Sequence, residues 1–96
     1  MAHPDVYVAW GGASEMSNYD DSCRTTVDVA TRASTHICVD PRETNMGKEA
    51  DYQLHLRPGT DGAMALAWTN VIIENELYDD LFTKKWTNGP FLVCED

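Results

Sequence analysis

Three short runs suited to strands, each ending in turn or helix chemistry, constrain this chain more than any other feature. Asp5-Val6-Tyr7-Val8-Ala9-Trp10 is β-branched and aromatic and stops at Gly11-Gly12, the pattern of a buried strand with a glycine exit. His36-Ile37-Cys38-Val39-Asp40 is a second such run. Pro41 cannot donate to a central ladder, so this strand is expected to stop at Asp40. Tyr52-Gln53-Leu54-His55-Leu56 alternates with period two and predicts a third strand.

Helical signals fall between and after these runs. Over residues 19–34, Val27, Ala30 and Ala33 recur at three-residue spacing, and Asp20 and Asp21 lie where an N-terminal dipole favours acids. Residues 45–51 predict a short helical turn. Arg57-Pro58-Gly59-Thr60-Asp61-Gly62 is turn chemistry, and Thr60 or Asp61 suits the cap of a helix running to about Asn75. Residues 78–86 predict one more short helix, closed by Asn88-Gly89-Pro90. The order implies parallel strands with right-handed crossovers. The expectation is an α/β, Rossmann-like three-layer fragment with about three parallel strands and flanking helices, residues 1–96 forming a single partial domain.

Composition narrows the partners. A chain of 96 residues has room for one domain, and its core is marginal at that size. The net charge of −9 and pI of about 4.5 repel phosphate backbones and anionic lipid, which argues against nucleic acid and membrane surfaces. A phosphate can still be held locally, because backbone N–H groups need no net positive charge. Cys23, Cys38 and Cys94 are odd in number and show no zinc or iron–sulfur spacing, so three reduced thiols are expected. No apolar run approaches the roughly 20 residues of a membrane span. Met1-Ala2-His3-Pro4-Asp5 has neither the basic nor the apolar region of a secretory signal. A soluble chain is expected, and the compartment of a parent protein, cytoplasm or periplasm, stays open.

One segment departs from the habit of small domains. Ala63-Met64-Ala65-Leu66-Ala67-Trp68, continued by Val71-Ile72-Ile73, is apolar on every helical face. A surface helix keeps a polar stripe, whereas a helix apolar all round is normally surrounded by protein. This one is expected to sit inside something larger.

Three weak signals could carry ligand chemistry. Gly11-Gly12-Ala13-Ser14 after the first strand reads either as a tight turn or as a place where a phosphate approaches backbone N–H groups; the full dinucleotide glycine pattern is absent. Val39-Asp40-Pro41-Arg42 ends the second strand. Asp40 can accept ribose hydroxyls while Arg42 pairs with phosphate or stacks on a base, or the two can be a strand-end cap and a solvated cation. The spacing from Gly12 to Asp40 is longer than the roughly 20 residues of the dinucleotide fingerprint. Gly59-Thr60-Asp61 follows the third strand, where Asp61 can cap its helix or accept a bidentate N–H pair from guanine. All three fall at the carboxyl ends of consecutive strands, the edge where open α/β sheets bind ligands.

Catalytic readings are thin. His3, His36 and His55 lack metal-ligand spacing, and Ser14, Ser17 and Ser22 lack a nucleophile elbow. Asp20-Asp21 with the later Lys84-Lys85 resembles the acidic pocket and lysine of a phosphoacceptor receiver, but those acids begin a helix instead of ending a strand.

Val39-Asp40-Pro41-Arg42-Glu43-Thr44, Ala50-Asp51, Leu56 through Ala63 (Leu-Arg-Pro-Gly-Thr-Asp-Gly-Ala), Val71-Ile72-Ile73 through Leu77-Tyr78-Asp79, Phe82, and Lys85 through Val93 resemble the molybdopterin oxidoreductase (dimethyl sulfoxide reductase) family over nearly the whole chain. The resemblance implies the family's cofactor-binding Rossmann-like segment. It implies that Gly11, Gly12, Ala13 and Ser14 lie against the phosphates of a molybdopterin guanine dinucleotide. Val39, Asp40 and Arg42 would face guanosine, Gly59 and Thr60 would line the same end, and Asp61 would recognise guanine. The remainder of a parent enzyme is the implied partner, with a small-molecule substrate of unknown identity. Ser14-Glu15 replaces the Asn-Pro of many members, which points to a divergent subgroup such as acetylene hydratases, transhydroxylases or catechol dehydroxylases. No residue matches the family's molybdenum ligand or iron–sulfur cysteines, so catalytic residues and metal ligands are expected outside these 96 residues. The competing expectation is a free-standing nucleotide-binding or docking module without redox activity.

Overall fold

The computed structural model describes residues 3–13, 16, 21–89 and 91. By its internal contacts it forms two compact units, Met1–Thr60 and Asp61–Asp96.

The first unit has β1 (Val6–Trp10), α1 (Asp21–Arg32), β2 (Thr35–Val39), α2 (Asn45–Glu49) and β3 (Tyr52–Leu54). The strands form one parallel sheet in the order β1-β2-β3, as the alternation of runs requires. Strand bounds agree with expectation to within two residues. β2 starts one residue earlier and stops at Val39, because Asp40 already turns toward Pro41.

Register explains what is buried. Tyr7 pairs with His36 and Ala9 with Cys38, and Cys38 pairs with Gln53, so these residues share one face of the sheet. His36, Cys38 and Ala9 are buried there with Met46 of α2. Residues of α1 (Val27, Ala30), α2 (Met46, Glu49) and β2 (His36) together line a cavity of about 250 Å³. The Tyr7 and His36 rings lie 5.4 Å apart, and the His36 backbone N–H donates to Asp51 Oδ2 at 2.8 Å. The opposite face carries Val6, Val8, Ile37 and Tyr52, of which Val6, Val8 and Tyr52 are exposed. Burial deepens toward the strand tips, where Val39 and Asp40 are nearly inaccessible.

Thr44 caps α2: its Oγ1 accepts from Gly47 N at 3.0 Å. The second unit has α3 (Asp61–Glu74) and α4 (Asp80–Trp86). Asp79 caps α4 by accepting from Phe82 N at 2.9 Å. Neither helix buries a residue. Among the described residues no helix is long and apolar enough to cross a membrane.

Candidate nucleotide-binding edge

The carboxyl tips of the three strands adjoin. Trp10 is in register with Val39, and Val39 with Leu54. Beyond the strands the ladder continues: Gly11 N donates to the Val39 carbonyl at 2.8 Å and Asp40 N to the Leu54 carbonyl at 3.3 Å. These bonds bring the glycine exit of β1 directly beside the Asp40-Pro41-Arg42 segment. Gly11 has φ +61°, a left-handed conformation that glycine adopts at no steric cost, and a Cβ there would meet nothing within 4 Å. Gly12 is exposed and Ala13 half-buried at the same end. Ser14 lies outside the described residues.

Asp40 is only 2% exposed. Its Oδ1 accepts from the Arg42 backbone N–H at 2.7 Å and lies 3.5 Å from Arg42 Nε. The carboxylate thus grips both the backbone and the root of the guanidinium of Arg42. The Arg42 side chain remains 69% exposed. A guanidinium held at its base with its fork outward can pair with a phosphate or lie on a base. Val39 contributes no accessible side chain, being 1% exposed, and its carbonyl is engaged by Gly11.

No family profile matches the chain. Individual proteins do. A dopamine dehydroxylase of Eggerthella lenta is 78% identical over 96 residues, which is 100% of this chain and 9% of that protein. The putative catalytic polypeptide of a dimethyl sulfoxide reductase from Halobacterium salinarum is 32% identical over 92 residues, 96% of this chain and 11% of that one. The solved acetylene hydratase from Pelobacter acetylenicus superimposes with a TM-score of 0.71 at 33% identity, over 88% of this chain and 12% of the hydratase. The chain belongs to the molybdopterin oxidoreductase family of the dimethyl sulfoxide reductase type. It spans only about a tenth of the length of these relatives. Family members use a molybdenum cofactor.

The other residues singled out in this molybdopterin-oxidoreductase segment divide between the two units. Gly59 has φ +87° in the turn that closes the first unit, with open space around a would-be Cβ. Thr60 does not use its side chain as a helix cap. Its Oγ1 donates back to the Arg57 carbonyl at 2.7 Å, in parallel with its backbone N–H at 3.0 Å. Asp61 opens α3 of the second unit, an acid in the first turn where the helix dipole favours it.

Three structural residues escaped the sequence reading. Thr44 caps α2, and a Thr three residues before a helical Gly was a readable sign of it. Gln53 Nε2 donates to the Arg42 carbonyl at 3.1 Å, and Gly47 lies beneath that amide. No local signal announces a bond between residues eleven apart in different elements.

Proposed function

We propose that this chain holds the guanosine-diphosphate end of a molybdopterin guanine dinucleotide, as one segment of a larger molybdenum-dependent oxidoreductase, and performs no chemistry by itself. The observation that carries the reading is the joined tip of β1 and β2: an open left-handed glycine beside an arginine held by a buried carboxylate. The residues fit the group. Gly11 and Gly59 leave room that a side chain would take up, and Arg42 offers a cation despite the acidic chain. In this reading Gly11, Gly12, Ala13 and Ser14 approach the diphosphate. Arg42 pairs with phosphate or covers the base, and Asp40 acts through Arg42. Val39 forms the floor, Gly59 and Thr60 shape the neighbouring turn, and Asp61 accepts from guanine. When bound, the cofactor would supply the redox-active molybdenum; its protein ligand and any iron–sulfur cluster belong to parts of the enzyme outside these residues.

Residues 1–96 are proposed to form one partial domain, and the remainder of the enzyme is the proposed partner. The helix α3 supports that, since it leaves Leu66, Val71, Ile72 and Ile73 exposed to water. The likeness to a dopamine dehydroxylase makes dopamine dehydroxylation the first reaction to assay in a parent enzyme.

Calorimetric titration of the chain with guanosine diphosphate, with adenosine diphosphate as comparator, tests the reading. Guanosine diphosphate should bind more tightly, and Arg42→Ala should weaken it by more than about tenfold, as expected for loss of a charge-assisted contact. Equal affinity for both nucleotides with no response to Arg42→Ala would overturn it in favour of a docking module. In a parent enzyme, Asp61→Ala should lower the molybdenum content after purification; unchanged content counts against Asp61.

A further inference from the structure

We infer that Gln53, seated on Gly47, is a positioning residue that sets the Asp40-Pro41-Arg42 hook at the tip of β2; its consequence for a ligand rests on the nucleotide reading above. The Asp40 end of the hook is tied to β3 by its N–H, which donates to the Leu54 carbonyl, and the Arg42 end is held by two further bonds. Asp40 Oδ1 takes the Arg42 N–H at 2.7 Å, and Gln53 Nε2 donates to the Arg42 carbonyl at 3.1 Å. The first of these comes from the segment itself and the second from a neighbouring strand, so the second fixes the Arg42 end relative to the sheet. Gln53 is in register with buried Cys38, on the face covered by α2. Its amide reaches Arg42 only because α2 presents glycine there. A Cβ built on Gly47 would lie 2.6 Å from Gln53 Nε2, 2.7 Å from Cδ and 2.9 Å from Oε1. Real Cβ atoms do not approach so closely, and the amide end of a flexible side chain gives way more readily than backbone. Gly47 is also buried and donates its N–H to the Thr44 cap, which pins the glycine in place.

The arrangement separates positioning from stability. Gly47→Ala adds a good helix former inside α2, which favours the helix, while it pushes the Gln53 amide off Arg42. Gln53→Glu keeps the shape and replaces the donor with an acceptor facing a carbonyl. Neither change removes a group proposed to touch the nucleotide.

The test is amide hydrogen exchange on the full 96-residue chain, with thermal unfolding and guanosine diphosphate titration of the same samples. Both variants should speed exchange at Arg42 by about fivefold, the factor for one ordinary hydrogen bond. Gly47→Ala should do so without lowering the melting temperature, a combination that simple destabilisation cannot give. Both should weaken guanosine diphosphate by a similar factor, and Gly47→Ala combined with Gln53→Glu should be no worse than either alone. Unchanged Arg42 exchange in both variants overturns the inference, and so does faster exchange with undiminished nucleotide affinity. If the unaltered chain binds no guanosine diphosphate, the nucleotide reading fails, and the exchange data still decide whether Gln53 positions the hook.

Discussion

β2 and α3 invert the usual relation between apolarity and burial. β2 mixes Thr, His, Ile, Cys and Val, runs into an aspartate, and is the most buried stretch of the chain. α3 is the most apolar helix and buries nothing: Leu66 is 71% exposed, and Val71, Ile72 and Ile73 are exposed with it. The difference lies in who supplies the neighbours. β2 is a central strand, flanked by β1 and β3 and covered by α2, so even the Asp40 and Thr44 side chains find bonding partners inside, and the His36 backbone N–H donates to Asp51. A helix apolar on all faces needs protein on all faces. The core this chain builds for itself therefore gathers around the strand tips, where the candidate site lies.

The same substitution in both places gives the strongest test of that contrast. Val39→Lys places a charge with no partner at a position 1% exposed and should cost more than about 4 kcal/mol, enough to abolish a cooperative thermal transition in a domain this small. Leu66→Lys should change stability by no more than about 0.5 kcal/mol. It should also reduce the self-association expected of the unaltered chain in gel filtration, where exposed Leu66, Val71, Ile72 and Ile73 form a sticky surface. A sharp monomer peak for the unaltered chain, or a folded Val39→Lys variant, would break the comparison.

A smaller effect probes the edge of the core. Thr44→Ala removes the side-chain acceptor of Gly47 N and should cost about 1 kcal/mol, read as a shift in the denaturant midpoint. Because Thr44 also lies 3.9 Å from Cys38 Sγ, the variant should leave a small gap under α2. No shift at all would mean that α2 is held by its packing on β2 and β3 alone.

The strands were legible because each is a run of β-branched or aromatic residues ended by Gly or Pro, and that punctuation is local physics. The strand tips followed from topology, which is why Gly11 and Arg42 could be placed at one edge from the sequence. What was illegible depends on distance in the chain. That Asp40 spends its carboxylate on Arg42 is a choice between an outward and an inward rotamer, and sequence does not fix it. The Gln53 bond needs the register of β3 against β2 and the missing side chain of Gly47 together. Thr60 or Asp61 was expected as the cap on general preference, and of the two the Thr60 hydroxyl donates to the nearer Arg57 carbonyl.

The least effect belongs to α4, and it has a definite sign. Lys84 Nζ donates to Asp80 Oδ2 at 2.8 Å, one helical turn earlier. That hydrogen bond, followed by the charge of Asp80, raises the lysine pKa above its ordinary value. A raised pKa in the folded state means that protonation favours the helix. The contribution is therefore complete below the unfolded lysine pKa of about 10.4 and disappears as pH climbs through the higher folded value. The pair is exposed, so the loss should be slight and further screened by salt. Circular dichroism of the chain should show a small decline in helicity above about pH 10.5, absent in Lys84→Met and diminished at about 1 M salt. A decline of equal size in Lys84→Met would assign it to some other group, and α4 would then owe nothing to its ion pair.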